Sequence, residues 1–143
     1  MKKMLLRMRR DERGYTLVEL LVVLAILGLL ATIATTVVLR QFAAAKVSTA
    51  HAQVESLASA LDLFQLQVGR YPTSQEGLAA LKAKPPTADN WNGPYIKATT
   101  SLNDPWGHPY NYVSPGRHGD FDLFSNGPDG ATANGADPPV RNW

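Results

Sequence analysis

Cysteine is absent from the 143 residues of this chain. That excludes disulfide staples, thiolate metal sites and a cysteine nucleophile, so an exported domain of this size has to fasten its loops by other means. Histidine is scarce: His51, His108 and His118 lie far apart, without metal-ligand spacing, and surface positions are expected for His108 and His118. No phosphate-binding glycine loop, nucleophile elbow or paired-histidine zinc motif is present. Asp120 and Asp122 do not make a glycosidase pair, because alternate residues of a strand point to opposite faces. No catalytic residue emerges, and an enzyme is not expected. Beyond residue 40 there is no basic cluster interleaved with aromatics, which removes the footprint of nucleic-acid binding. Between Arg40 and Val68 there is neither proline nor glycine.

Charge is unevenly placed. The leader MKKMLLRMRRDERG carries Lys2, Lys3, Arg7, Arg9, Arg10 and Arg13 against Asp11 and Glu12. With those six basic and two acidic residues set aside, the overall +2 leaves residues 15–143 with eight basic and ten acidic groups, a net of −2. The high isoelectric point therefore belongs to the leader. By the positive-inside tendency the leader stays cytoplasmic and the rest goes outward.

Tyr15 to Leu39 is an apolar run of 25 residues, about 37 Å as a helix and enough to span a hydrocarbon core of roughly 30 Å. A secretory signal has a shorter apolar region and a small-residue cleavage site; Thr32 and Ala34 imitate the site, but the run is too long. The Arg9-Arg10 pair is not closely followed by the apolar residues a twin-arginine signal needs. A retained membrane helix is the reading that fits. It carries one carboxylate, Glu19, near its start. An ionised carboxylate in hydrocarbon costs a few kcal/mol even on lenient scales, so Glu19 either snorkels to the interface or answers a cation there.

The helix continues past the membrane. Val47, Ala50, Val54, Leu57, Leu61, Phe64 and Val68 repeat every three or four residues, an amphipathic stripe laid on a core. Gly69 reads as its end and Pro72 prevents continuation, giving one helix of about 53 residues, roughly 80 Å long. Thr73 and Glu76 form a capping box, which predicts a short helix over 74–84 ending before Pro85-Pro86. Asp104-Pro105-Trp106-Gly107 matches a type I turn. Tyr110–Val113 and Phe121–Phe124 read as strands of a hairpin joined by Pro115–Gly119, and the tryptophans and tyrosines read as core. Asp120, Asp122, Asp129 and Asp137 fall among Gly, Asn and Pro in the last 24 residues. Such a loop is either simply solvated or suited to a hard cation with six to eight oxygen ligands.

The leader ending in Gly14, the Tyr-Thr-Leu-Val-Glu after it and the apolar helix resemble the N-terminal signal of type IV pilins and type II secretion pseudopilins. GRYPTSQEGLAAL, WNGPYI, DPWGHPYNYVSPGRHGDFDLFSNGPDG and the terminal RNW resemble the major pseudopilins in particular. The resemblance implies an α+β, type IV pilin-like fold: a long N-terminal helix, half in the membrane and half packed against a small antiparallel sheet with a C-terminal loop. It divides the chain into a cleaved leader 1–14, a transmembrane and polymerisation helix 15–39 and a periplasmic domain 40–143, its strands and metal loop within 95–143. It implies cleavage between Gly14 and Tyr15 by a prepilin peptidase and methyltransferase, with N-methylation of Tyr15; the family usually has Phe or Met there. Glu19 becomes the fifth mature residue and the assembly residue.

The same resemblance implies a bacterial inner-membrane protein that crosses once, surrounded by lipid before assembly. Its partners would be further copies of itself, minor pseudopilins and the inner-membrane assembly platform. The periplasmic filament they build would drive folded proteins across the outer membrane. A pilin for adhesion, motility or DNA uptake is the alternative, disfavoured by the missing C-terminal disulfide. The resemblance also implies a structural Ca²⁺ held by Asp129 and Asp137, with the Asn126 backbone carbonyl as a weaker ligand. In this chain Pro138-Pro139 follows Asp137, and residues 131–136 are uncharged.

Overall fold

The computed structural model describes residues 15–130 and 139–143. The chain divides into two compact units, 1–40 and 41–143, and helix α1, Leu17–Val68, contributes to both. In the first unit α1 is apolar on every side, with Leu20, Val23, Leu27, Leu30 and Ile33 all exposed. A helix apolar all round is made for the interior of a large protein or a membrane. Among the described residues α1 is the helix long and apolar enough to cross one. Its threonines satisfy themselves: Thr32 Oγ1 donates to the Leu29 carbonyl at 2.7 Å, Thr35 to Ala31 at 2.8 Å and Thr36 to Ile33 at 3.0 Å. In hydrocarbon, where no water competes, such internal bonds remove the cost of a hydroxyl.

The second unit holds the core. Ala50, Val54, Leu57, Leu61 and Phe64 of the stripe are buried, joined by Ala60, while Val47 and Val68 pack at its margin. Facing them are Leu78, Leu81, Ala88, Tyr110, Phe121, Leu123 and Val140. Truncating a fully buried phenylalanine such as Phe64 removes about 3–5 kcal/mol, a large share of the stability of a domain this size. The Gly69 amide bonds the Gln65 carbonyl at 2.8 Å, ending the helix.

The segment after Pro72 departs from the sequence expectation. Both bonds of the capping box form, Thr73 N–H to Glu76 Oε2 at 2.7 Å and Glu76 N–H to Thr73 Oγ1 at 3.2 Å. The element they open is a single 3₁₀ turn, Gly77–Leu81, rather than a helix over 74–84. Gly77, with φ of +59°, breaks any continuous α-helix that would run through it from residue 74. The turn is anchored instead by side chains. Arg70 grips both oxygens of Glu76, Nη1 to Oε2 at 2.8 Å and Nη2 to Oε1 at 2.9 Å, and reaches Thr87 Oγ1 at 2.8 Å. The bond from Arg70 is the main reason that the Glu76 carboxyl is held down at about 2, with Thr87 and the Thr73 amide adding to it against the cost of burial.

Among the described residues the sheet has three strands in the order β1 (Asn111–Val113), β2 (Asp122–Ser125) and β3 (Val140–Arg141). All pairings are antiparallel, with Tyr112 opposite Leu123 and Ser125 opposite Val140. Asn142 extends the ladder beyond β3 with backbone and side chain together: its N–H donates to the Leu123 carbonyl, its Oδ1 accepts the Leu123 N–H, and its Nδ2 donates to the Phe121 carbonyl. The α+β architecture that the resemblance implied, a long helix and a small antiparallel sheet, is the one observed. Two strands were expected; the third is two residues long, too short to leave a periodic signal.

Candidate assembly helix and cation loop

At the N-terminal end, Gly14 lies outside the described residues and Tyr15 is 80% exposed. Thr16 stands just before α1 and caps it: its Oγ1 accepts the Glu19 N–H at 3.2 Å and its carbonyl the Leu20 N–H at 3.1 Å. Thr16-Leu17-Val18-Glu19 has the spacing of a capping box, of which the Thr16 Oγ1 bond is present. Glu19 sits in the first turn of α1 and is exposed. The partial positive charge of a helix N-terminus favours a carboxylate there. No described group pairs with its side-chain oxygens.

The loop expected to hold a cation is built on a turn that looked merely structural. Asp104 opens the turn as expected, its carbonyl accepting the Gly107 N–H at 3.0 Å. Its side chain is buried, with Oδ1 accepting the amides of Trp106 (3.0 Å) and His108 (2.9 Å). Asp104 Oδ2 accepts the Ser125 hydroxyl at 2.5 Å, and Ser125 Oγ, fully buried, accepts the Gly127 N–H at 3.0 Å. From the other side His108 Nδ1 lies 3.1 Å from the Gly127 carbonyl; a carbonyl only accepts, so Nδ1 is the donor.

Gly127–Asp129 forms a 3₁₀ turn closed by the Gly130 N–H on the Gly127 carbonyl at 3.2 Å. Both glycines have positive φ, and neither has room for a side chain. A Cβ on Gly127 would meet Pro139 Cγ at 2.8 Å, and one on Gly130 would meet His108 Nε2 at 2.8 Å.

Of the expected ligands, Asp129 is exposed on this turn and Asp137 lies outside the described residues. Asn126 sits immediately before the turn; its Nδ2 donates to the Gly130 carbonyl at 3.3 Å, and its Oδ1 is buried without a hydrogen-bond partner among the described residues. The other acids of the C-terminal group do not join them. Asp120 is exposed, and Asp122 is buried under the β1–β2 loop, where it accepts the amides of Arg117 (2.9 Å) and His118 (3.1 Å) and lies 3.2 Å from His118 Nδ1. Burial opposes its ionisation, but those three contacts hold its carboxyl below the ordinary value.

His118 is at the surface as expected, stacked face to face on Trp143 at 4.1 Å. His108 is half-buried against the cation loop, which corrects the surface position expected for it. Among the described residues no three His, Cys, Asp or Glu side chains converge as a metal-binding group.

A long apolar helix with one carboxylate in its first turn, continuing into the core helix of a small α+β domain, defines a pilin-like subunit. Residues 9–35 match the prokaryotic N-terminal methylation motif, and residues 37–143 match the family model for type II secretion system (T2SS) protein G. The type II secretion system core protein G of Pseudomonas aeruginosa is 41% identical over 140 residues, covering 94% of this chain and 97% of that protein. The Dickeya chrysanthemi core protein G is also 41% identical over 140 residues, covering 95% and 89%. The crystal structure of the major pseudopilin from the type 2 secretion system of enterohaemorrhagic Escherichia coli superimposes with a TM-score of 0.62 at 34% identity, covering 73% of this chain and 92% of that one. The chain belongs to the type II secretion system protein G family, the major pseudopilins.

Proposed function

We propose that this subunit is made as a precursor, cut between Gly14 and Tyr15 by a prepilin peptidase that also methylates the Tyr15 amine, and held by α1 as a single-pass inner-membrane protein with its second unit in the periplasm. From there copies assemble, with minor pseudopilins and on an inner-membrane platform, into a periplasmic filament that drives folded proteins across the outer membrane. Its role is mechanical, with no catalytic step and no nucleic-acid partner. The observation that carries this reading is Glu19: an exposed carboxylate without a partner among the described residues, in the first turn of a helix apolar on every side. Lipid surrounds that helix before assembly. In the filament a neighbour's Tyr15 amine neutralises Glu19, and the pairing fixes axial register because any other offset strands a desolvated charge. Cells lacking this protein are expected to accumulate folded exoproteins in the periplasm and to recover export when it is restored. Undiminished export without it contradicts the reading.

We propose in addition that the 126–137 loop holds a structural Ca²⁺ through Asp129, Asp137 and Asn126. The orphaned Asn126 Oδ1 supports the fit: a buried acceptor without a donor costs about 1–3 kcal/mol, and a hard cation that takes carboxylate and amide oxygens relieves it. This puts weight on the Asn126 side chain, where the resemblance implied only its backbone carbonyl. The ion takes the place of the missing disulfide by tying the loop down. Because the second unit has its own core, the test uses residues 41–143 alone. At a hundredfold excess over its dissociation constant a ligand of the folded state adds about 2.7 kcal/mol, so a chelator is expected to lower the melting temperature by roughly 10 °C or more. An unchanged melting curve removes the calcium assignment.

A further inference from the structure

The Gly127 peptide is held at both of its polar ends by the turn Asp104–His108, nineteen or more residues upstream. Its N–H is reached through a relay, Gly127 N–H to Ser125 Oγ at 3.0 Å and Ser125 O–H to Asp104 Oδ2 at 2.5 Å. Its carbonyl is held directly by His108 Nδ1 at 3.1 Å. The His108 backbone is fixed by the same carboxylate, its N–H on Asp104 Oδ1 at 2.9 Å and its carbonyl taking the Asp104 N–H at 2.7 Å. The ring's other edge lies so close to the Gly130 α-carbon that no side chain fits between them. His108 therefore touches both ends of the Gly127–Gly130 turn. That turn presents Asp129 and is bracketed by the Asn126 amide, whose Nδ2 bonds Gly130. Nothing in the hydrophobic core requires an imidazole at this position, since His108 is only half-buried.

We infer that His108 is a positioning residue for the cation loop, setting the Asn126–Gly130 turn in its binding geometry through the Nδ1 bond to the Gly127 carbonyl. This rests on the calcium reading above. The physical gain is preorganisation. A loop already shaped for its ion loses less conformational freedom when the ion arrives, and groups that orient ligands without touching the metal are typically worth 10–100-fold in affinity. Asp104 and Ser125 share the task, but both are buried and their removal leaves orphaned polar atoms, so His108 is the residue at which positioning separates from folding.

The test is calorimetric titration of calcium chloride into the metal-stripped full chain in detergent micelles, for wild type, His108→Ala and His108→Asn, with melting temperatures measured in chelator. Asparagine places Nδ2 where the ring has Nδ1 and can donate the same bond. The expected result is a dissociation constant about tenfold higher for His108→Ala, restored to within about threefold by His108→Asn. The two variants are expected to melt together in chelator. Calcium binding by wild type with an unchanged constant in His108→Ala overturns the positioning role and leaves the calcium site standing. Equal weakening in both variants overturns it too, since the loss then follows ring packing on Gly130 rather than the hydrogen bond. No binding by wild type removes the calcium site itself.

Discussion

Glu19→Ala is expected to reach the membrane as efficiently as wild type and to build no filaments. The two halves of that result have opposite energetic origins. A carboxylate near the start of a membrane helix opposes insertion by up to a few kcal/mol, so alanine makes insertion easier. In the filament the same substitution leaves the neighbour's amine without its counter-ion. Breaking a buried pair by removing one member costs about 3–5 kcal/mol, or two to three and a half powers of ten in each subunit's association constant at about 1.4 kcal/mol per tenfold. The loss recurs at every addition, so filaments vanish instead of shortening. The loss of charge, and not of helix structure, is responsible: Thr16 caps α1 through the Glu19 backbone N–H, which alanine keeps. Membrane fractionation and electron microscopy of filaments are the measurements, and abundant filaments from Glu19→Ala refute the register role.

Gly14→Ala is expected to leave the precursor uncut, and to abolish assembly by the complementary route. Here Glu19 remains, but position 15 keeps a peptide bond in place of the amine. The six basic and two acidic residues of the leader stay attached, and drawing them into an apolar helix bundle is prohibitive. An immunoblot reads the result as a single slower band. A normally sized mature band from this variant places the cut elsewhere. Together the two variants remove one member of the proposed pair each; the retained leader also blocks assembly of Gly14→Ala, so Glu19→Ala is the variant that isolates the pair.

The helix was the legible part of this molecule because its physics is periodic. The Ala50–Phe64 stripe named the buried face residue by residue, and a long apolar run suits little besides a membrane. Where one residue decides a conformation, the pattern was less informative. The capping box at Thr73 and Glu76 was correctly paired, yet Gly77 at positive φ converted the expected helix to a 3₁₀ turn. Glu19 stands out by charge, while Thr16, which caps the same helix through the Glu19 N–H, is inconspicuous beside a membrane helix.

In the candidate cation loop the sequence marks the aspartates but not the frame that holds the turn. Asp104 carried a turn signal that accounted for it fully, so nothing in the sequence marked its side chain as the buried hub reaching Ser125 across 21 residues. His108 has no metal-ligand spacing to mark it in the sequence. Its contact with Gly127 is a product of tertiary packing that no local pattern encodes. The Asn126 side chain was overlooked in favour of its backbone, because an orphaned oxygen becomes visible only when burial is known.

Intact-mass and N-terminal peptide mass spectrometry of the protein taken from membranes tests the Glu19–Tyr15 pairing most directly, since the pairing needs a free amine at residue 15. The predicted result is a chain beginning at Tyr15 and bearing one added methyl group on its amine. A membrane-resident, assembled protein that still carries residues 1–14 would contradict it.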